Sequence, residues 1–318
     1  MQDKMNWHEG DLPLSKIPDR LSVWSSSEIK DYQRCPRYSL FRKILGLTPD
    51  FPNHNLVFGT AWHLAQEHLA NNKFSEDSIE GAYQDFLDFY RKYFSESTDL
   101  DYKGKNPGNA SLGIQEMQKE GLKKMPSHKL VETETYGELP IPGIEGAVVS
   151  YKIDIVWETP RGIVAWDYKS GAAKFSWWVN EKHTSLQLRT YVFALFDIFG
   201  EEKVEGMIVK GSLFYTSKRE HFDVLVRPTL KETHNWHNEI KRFFHTLQMD
   251  LDELAKAKRN LPVLNAFPRC TSGCVAYNKI CPYYDICFSN ANPLVFSDML
   301  PSGFKREYYD PQRPDQER

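Results

Sequence analysis

The sequence predicts a mixed α/β fold, a small sheet flanked by helices, on three observations. Segments rich in β-branched and aromatic residues alternate or run apolar at LVETETYGEL, AVVSYKIDIVWE and GIVAWDYKS, and again at GMIVKGSLFYTS and HFDVLVRP. Helical spacing fills the stretches before, between and after them. The composition, 318 residues with 41% hydrophobic and 26% charged side chains, is that of a globular chain able to bury a core, which argues against disorder, collagen and coiled coils.

In chain order, the first 20 residues are polar and contain proline, so a flexible lead-in over 1–24 is expected. Ser25, Ser26 and Ser27 are candidate N-caps for a short basic helix that carries Ile29, Tyr32, Cys35 and Tyr38. A second helix from about Phe58 through GTAWHLAQEHLANN groups Trp62, Ala65 and Leu69 and sets His63 and Glu67 four apart on another face. Residues 78–95 and 112–125 read as helices, with a loop at 96–110. Three strands follow, broken by Pro/Gly turns at 140–146 and 159–162, then a helix in SLQLRTYVFALFDIFG, a strand pair, and a long amphipathic helix from about Thr229 to Arg259. One domain over 25–290 is expected, with a loosely held tail at 291–318.

No apolar run reaches the roughly 18 to 20 residues that span a bilayer, and MQDKMNWHEGD lacks the apolar stretch of a signal peptide. A cytoplasmic protein with no membrane partner is therefore expected. The formal charge of −3 excludes binding of nucleic acid by bulk positive charge, though it leaves room for a local basic cleft.

The chemistry concentrates on the second and third strands. Asp154 in YKIDIVW precedes Asp167 and Lys169 in VAWDYKSG, and a turn at Thr159 to Gly162 would lay those strands side by side. Alternation puts Asp167 and Lys169 on one face and Tyr168 on the other. Carboxylate oxygens suit a hard divalent ion such as Mg²⁺ or Mn²⁺, which can polarise a phosphate and acidify a bound water, while a neighbouring amine orients or activates that water. An isolated D-x-K is more often a strand-edge ion pair.

Four of the five cysteines crowd into C-x3-C-x6-C-x5-C at Cys270, Cys274, Cys281 and Cys287, a pattern that reads as metal binding in a reducing compartment. Those four alone would make a zinc site, with the distant Cys35 a small buried hydrophobe.

The surrounding motifs change the weight of D-x-K. In order they are G-x3-H with a following Glu (Gly59, His63, Glu67), Asp154, D-Y-K (Asp167, Lys169) and Q-x3-Y (Gln187, Tyr191), and from about Ser25 to Phe288 the chain resembles the RecB-like branch of the PD-(D/E)xK nuclease superfamily. That resemblance implies a restriction-endonuclease-like central mixed sheet flanked by helices, with a helical insertion between residues 60 and 130. It implies metal binding by His63, Asp154, Asp167 and the Tyr168 backbone carbonyl, catalysis by Lys169, and help from Gln187 and Tyr191 in holding the DNA strand or the catalytic groups. SSSEIKDYQRCPRYSLF and CVAYNKICPYYDIC are similar to the cysteine segments of the AddB, exonuclease V and CRISPR adaptation nuclease types. Those imply a 4Fe–4S cluster on Cys35, Cys274, Cys281 and Cys287, with Cys270 spare, closing a C-terminal cap. Some relatives use a C-x2-C spacing where this chain has Asn278.

The function implied is a Mg²⁺- or Mn²⁺-dependent deoxyribonuclease, an exonuclease on single-stranded DNA or DNA ends in recombination, repair or replication, bacterial or phage. The alternative is a catalytically silent nucleic-acid-binding or assembly module of the same fold. No G-x4-G-K-[ST] occurs, so a helicase would be a separate partner. Trp177 and Trp178 are placed near the cleft, as base-stacking or core residues, and Lys210, Lys218, Arg219 and the 34–43 basic cluster are candidates for a phosphate track.

Overall fold

The computed structural model describes residues 21, 23–171, 175–276 and 279–308. The expected lead-in before residue 21, Asn278 and the tail beyond 308 lie outside them. Along the chain the main elements are β1 (Val23–Ser25), α1 (Ser26–Arg34), α2 (Pro36–Ser39), β2 (Leu47–Pro49), α3 (His54–Asn71), α4 (Ser78–Tyr90), α5 (Pro107–Lys124), β3 (Lys129–Pro140), β4 (Val148–Thr159), β5 (Gly162–Gly171), α6 (Phe175–Thr184), α7 (Leu186–Phe199), β6 (Val204–Phe214), β7 (Arg219–Val226), α8 (Leu230–Lys256) and α9 (Tyr284–Ser289). They fall into two compact units, one from Met1–Phe51, Glu138–Ser150 and His237–Gln316, the other from Pro52–Gly137 and Tyr151–Trp236. The sequence reading had one domain over 25–290.

The unit built on Pro52–Gly137 and Tyr151–Trp236 holds the mixed sheet. Its strands run in the order β4-β5-β6-β7, with β3 paired to β4. β4 and β5 are antiparallel, β5 and β6 parallel, β6 and β7 antiparallel. The β4–β5 turn closes through the Arg161 amide donating to Thr159 Oγ1 at 3.1 Å. Gly162 follows with φ of +130°, and a Cβ there would meet the Lys203 carbonyl at 2.3 Å, so this position takes no other residue without moving β6.

Asparagines set the helix starts. Asn53 accepts from the Asn55 amide ahead of α3, and Asn106 accepts from the Asn109 amide ahead of α5, with Pro107 in the first turn. These caps start both helices about four or five residues before the apolar periodicity does. Phe58, Trp62 and Leu69 of α3, Phe86 and Tyr90 of α4 and Ile114 of α5 are buried with Trp157, Trp166, Tyr168 and Phe214 of the sheet. Each such side chain contributes about 1.5–3 kcal/mol of burial free energy, so this cluster is the main stabilising mass of the unit. α6 was not foreseen: KFSWWVNEK has strand-like composition, yet Phe175–Thr184 is helical.

In the other unit, Ser25 and Glu28 form a reciprocal capping box at the start of α1. Cys35 was expected inside a helix, but it sits between α1 and α2 with φ −162° and ψ 106°. Pro36 is the cause, since its ring excludes the helical conformation from the preceding residue. β1 pairs in parallel with Val148–Ser150 and buries Trp24, so ordered structure begins inside the expected lead-in. The expected tail is also folded in its described part: Phe304–Arg306 pairs antiparallel with β2, and the Arg306 guanidinium donates to the Leu45 and Phe296 carbonyls. Apolar burial adds to the backbone pairing and the arginine, since Leu294 and Phe296 are buried and Phe304 stacks on Tyr283. Among the described residues no helix is long and apolar enough to cross a membrane.

Candidate functional site

The β4–β5 register pairs Ile155 with Trp166, and one step further Asp154 comes opposite Asp167. Asp154 is nearly buried and Asp167 wholly so. Asp154 Oδ2 accepts from the Tyr168 amide at 2.8 Å and lies 3.1 Å from His63 Nδ1 of α3. Lys169 Nζ donates to Asp167 Oδ1 at 2.9 Å. The expected grouping of two acids, one amine and the helix-borne histidine is therefore present.

Each charge in the group answers the others. Burial opposes ionisation of Asp154, but the His63 charge and hydrogen bond, with Lys169 and the Tyr168 amide, hold it well below the usual carboxylate range. Asp167 goes the other way: burial pushes it up, and Lys169 offsets this only in part. Lys169, despite burial, is kept above the ordinary lysine value by Asp167 and Asp154. His63 is likewise raised, Asp154 overcoming the cost of burial.

Among the described residues, Asp167 Oδ2 is buried with no hydrogen-bond partner, a costly state for a carboxylate oxygen and one that a cation would relieve. Among the described residues, no three His, Cys, Asp or Glu side chains already stand in metal-holding geometry. The donor chemistry nevertheless fits a hard divalent ion: Asp154 and Asp167 supply carboxylate oxygens and His63 a ring nitrogen. Tyr168, expected to contribute its carbonyl, gives its amide to Asp154 and buries its ring on the opposite face.

The supporting residues are also placed. Gln187 Nε2 donates to the Tyr191 hydroxyl at 2.8 Å, joining the Q-x3-Y pair along one turn of α7. Glu67, one turn after His63, accepts from Thr133 Oγ1 at 3.3 Å, and burial together with Glu134 raises it.

Several sequence expectations are corrected. Lys210 does not line a phosphate track; it is buried and donates to Asp223 at 2.5 Å. Lys218 pairs with Glu220, and Arg219 forms a two-pronged pair with Glu116. In the 34–43 cluster Arg37 is buried on the Phe267 and Leu264 carbonyls, Arg34 lies over Tyr38, Arg42 donates to Thr48 and Lys43 to Glu28. Trp178 is buried edge-on against Phe222 and so does not offer a face to bases, while the Trp177 side chain lies outside the described residues. Two lysines that the sequence reading passed over stand near the ends of the site: Lys105, which donates to the Ser170 hydroxyl at 3.2 Å, and Lys182 of α6. Lys182 had one advance signal, its place just after the Trp-Trp pair; Lys105, in the 96–110 loop, had none.

A second polar chain runs from Ser212 Oγ to His221 Nδ1 at 2.9 Å and from His221 Nε2 to Glu116 Oε2 at 2.9 Å. It has the order of a serine-hydrolase relay, but Ser212 is 0% exposed and cannot meet a substrate. It braces α5 against the β6–β7 hairpin.

In the other unit, Cys35, Cys270, Cys274, Cys281 and Cys287 line one small pocket with Arg37, Arg269 and Tyr283. None is in a disulfide. The Cys270 amide points to Cys35 Sγ at 3.4 Å, and the Cys281 amide donates to the Cys274 carbonyl at 2.8 Å. Burial raises the Cys281 and Cys287 thiols, and both feel Cys35 and Cys274. Cys270 Sγ instead lies 3.0 Å from Ser272 Oγ. Among the described residues these thiols share the lining of this pocket without standing in metal-holding geometry.

Residues 23–288 match the family described as "PD-(D/E)XK nuclease superfamily". No curated relative matches the chain. Among solved structures, the protein described as "Crystal structure of SSO0001" aligns at 11% identity with a TM-score of 0.31, over 74% of this chain and 79% of that one.

Proposed function

Because the chain belongs to the PD-(D/E)XK nuclease superfamily, we propose that it is a Mg²⁺- or Mn²⁺-dependent deoxyribonuclease, an exonuclease that hydrolyses phosphodiester bonds in single-stranded DNA or at DNA ends. The observation that carries this reading is the buried, unpartnered Asp167 Oδ2 beside Asp154, His63 and Lys169. A carboxylate left in that state is out of place in a merely structural ion pair and suited to a site completed by a cation.

In the proposed reaction Asp154, Asp167, His63 and the Tyr168 carbonyl would hold the ion, which would supply Lewis-acid polarisation of the phosphate and acidify a water. Lys169, kept cationic by its two acidic neighbours, would donate hydrogen bonds that orient the attacking water and balance charge on the phosphate; as the water oxygen bonds to phosphorus the P–O bond to the leaving nucleotide breaks, the water's proton passing to solvent and the leaving oxygen taking one from it. His63 is fixed by Asp154, and Tyr191 is tied to Gln187. With no phosphate-binding loop for ATP in the sequence, strand separation would fall to a separate helicase.

We also propose a 4Fe–4S cluster on Cys35, Cys274, Cys281 and Cys287, with a structural role. A pocket lined by the cysteines together with Arg37 and Arg269 supports it. Anaerobic purification followed by an absorption spectrum and metal analysis tests the cluster, and a colourless, zinc-containing product overturns it.

The nuclease reading is tested with fluorescent single- and double-stranded DNA in Mn²⁺. Wild type is expected to degrade label from one end, and Lys169→Ala to lose about four orders of magnitude in rate. Equal activity in the two proteins removes the assignment, and DNA binding without cleavage by wild type establishes the silent-module alternative.

A further inference from the structure

The side of β5 that carries Asp167 and Lys169 continues past them to Gly171, two residues on and on the same face. Across the parallel pairing, Lys169 is in register with Gly211 of β6. Trp178 reaches over both glycines: a Cβ on Gly171 would meet its indole nitrogen at 3.3 Å, and a Cβ on Gly211 would meet the Phe222 ring at 2.6 Å and the far edge of the Trp178 ring at 3.0 Å. Trp178 is locked there by Phe222, whose ring centroid is 4.9 Å away. The indole is thus a rigid floor laid beside Lys169.

Lys182, one helical turn after Trp178 in α6, sets its ammonium 4.5 Å from the centre of that ring. Its side chain is 13% exposed and its ion-pair partner is the adjacent Glu181 at 3.2 Å. Burial lowers Lys182, Glu181 opposes this, Lys169 lowers it further and Asp167 raises it, so it lies within the field of both site charges. A lysine pinned on an indole loses little further freedom on binding, which distinguishes it from a surface lysine on a free stem.

From this placement we propose that Lys182, held over Trp178, binds a backbone phosphate of the nucleic acid next to the scissile bond, exchanging Glu181 for the phosphate. The proposal rests on the nuclease reading and adds to it a substrate-binding residue. It also meets an electrostatic need, because Asp154 and Asp167 repel a phosphodiester and Lys169 is engaged with Asp167.

The test is fluorescence anisotropy of the full-length protein with a short labelled single-stranded oligodeoxynucleotide in EDTA, where no cleavage occurs, over a range of salt. Lys182→Ala is expected to bind about ten-fold more weakly at low salt, with a salt slope shallower by about 0.7, the value of one single-strand phosphate contact. Lys182→Arg restores most of the affinity. Glu181→Gln binds more tightly than wild type, because it frees the amine, whereas a purely structural pair would show no gain. In Mn²⁺, Lys182→Ala raises KM with kcat within about three-fold of wild type. An unchanged slope and KM in a folded Lys182→Ala overturn the proposal. If wild type binds the oligonucleotide with the expected slope difference but never cleaves it, the phosphate contact stands and the nuclease reading fails.

Discussion

The two faces of the sheet carry the same chemical pair, lysine and aspartate, Asp167 and Lys169 on β5 and Lys210 and Asp223 across β6 and β7, and treat it in opposite ways. On one face Asp167 keeps Lys169 at 2.9 Å through Oδ1, and among the described residues its Oδ2 has no hydrogen-bond partner. On the other, where Tyr168 is in register with Lys210, Asp223 has both oxygens taken, Oδ1 by Lys210 and Oδ2 by Lys124, each at 2.5 Å. Both of those amines also lie over the Trp166 ring, at 4.8 and 5.3 Å. The first face thus has two acids, one amine and an imidazole; the second has one acid, two amines and an indole. A buried ion cluster in which every oxygen is paired is finished, and one with an acid in excess and an oxygen unpaired is waiting for a cation. Unequal satisfaction of the same residue types separates the candidate site from the structural pair.

If that contrast is functional, mutations on the two faces must differ in kind. The largest effect expected is on the open face: Lys169→Ala lowers the rate of DNA hydrolysis by about four orders of magnitude with little change in thermal stability. On the closed face Asp223→Asn leaves two amines without their counter-ion. It is expected to destabilise by about 2–3 kcal/mol, since Asp223 is partly exposed, while kcat stays within a few-fold of wild type; urea unfolding and a cleavage assay on the same protein check both. A metal titration comes next in size. Mn²⁺ at about 100 times its Kd stabilises wild type by about 2.7 kcal/mol and Asp223→Asn equally, and leaves Asp167→Asn unmoved. Burial pushes the Asp167 acid up, so Asp167→Asn without metal should melt no lower than wild type, an outcome that separates lost binding from lost folding.

The open face was legible in the sequence and the closed face was not, for a physical reason. Asp154, Asp167 and Lys169 belong to two strands joined by a short turn, so alternation alone predicts that they meet. Lys210 and Asp223 depend on the parallel β5–β6 pairing, whose register is set across a 32-residue connection and is invisible to local pattern. For that reason Lys210 read as a phosphate contact. His63 was legible only through the G-x3-H motif, because nothing in the periodicity of α3 aims it at Asp154. The break at Cys35 could have been read directly from Pro36, whereas α6 could not, since Trp-Trp-Val favours a strand and the tertiary position of Trp178 over Gly171 and Gly211 overrides it.

The smallest effect expected is a pH dependence carried mainly by Lys210 on the closed face, with the lowered Lys182 adding to it. Burial brings Lys210 down to about 8 against the pull of Asp223, while in the unfolded chain it returns to the ordinary lysine value near 10.5. Between those values the folded protein has released a proton that the unfolded chain still binds. The unfolded state therefore holds more protons, and stability rises with pH from about 8 to about 10.5. The gain is roughly 1–3 kcal/mol, measured as the difference in urea-unfolding free energy between the two ends of that range. Lys210→Met removes the main titrating group and should flatten most of this part of the curve, with Lys124 remaining as the partner of Asp223. Lys169→Met should leave the same slope intact, because Lys169 is held above, not below, the ordinary value. If instead Lys169→Met flattens the curve and Lys210→Met does not, the assignment of open and closed faces is reversed.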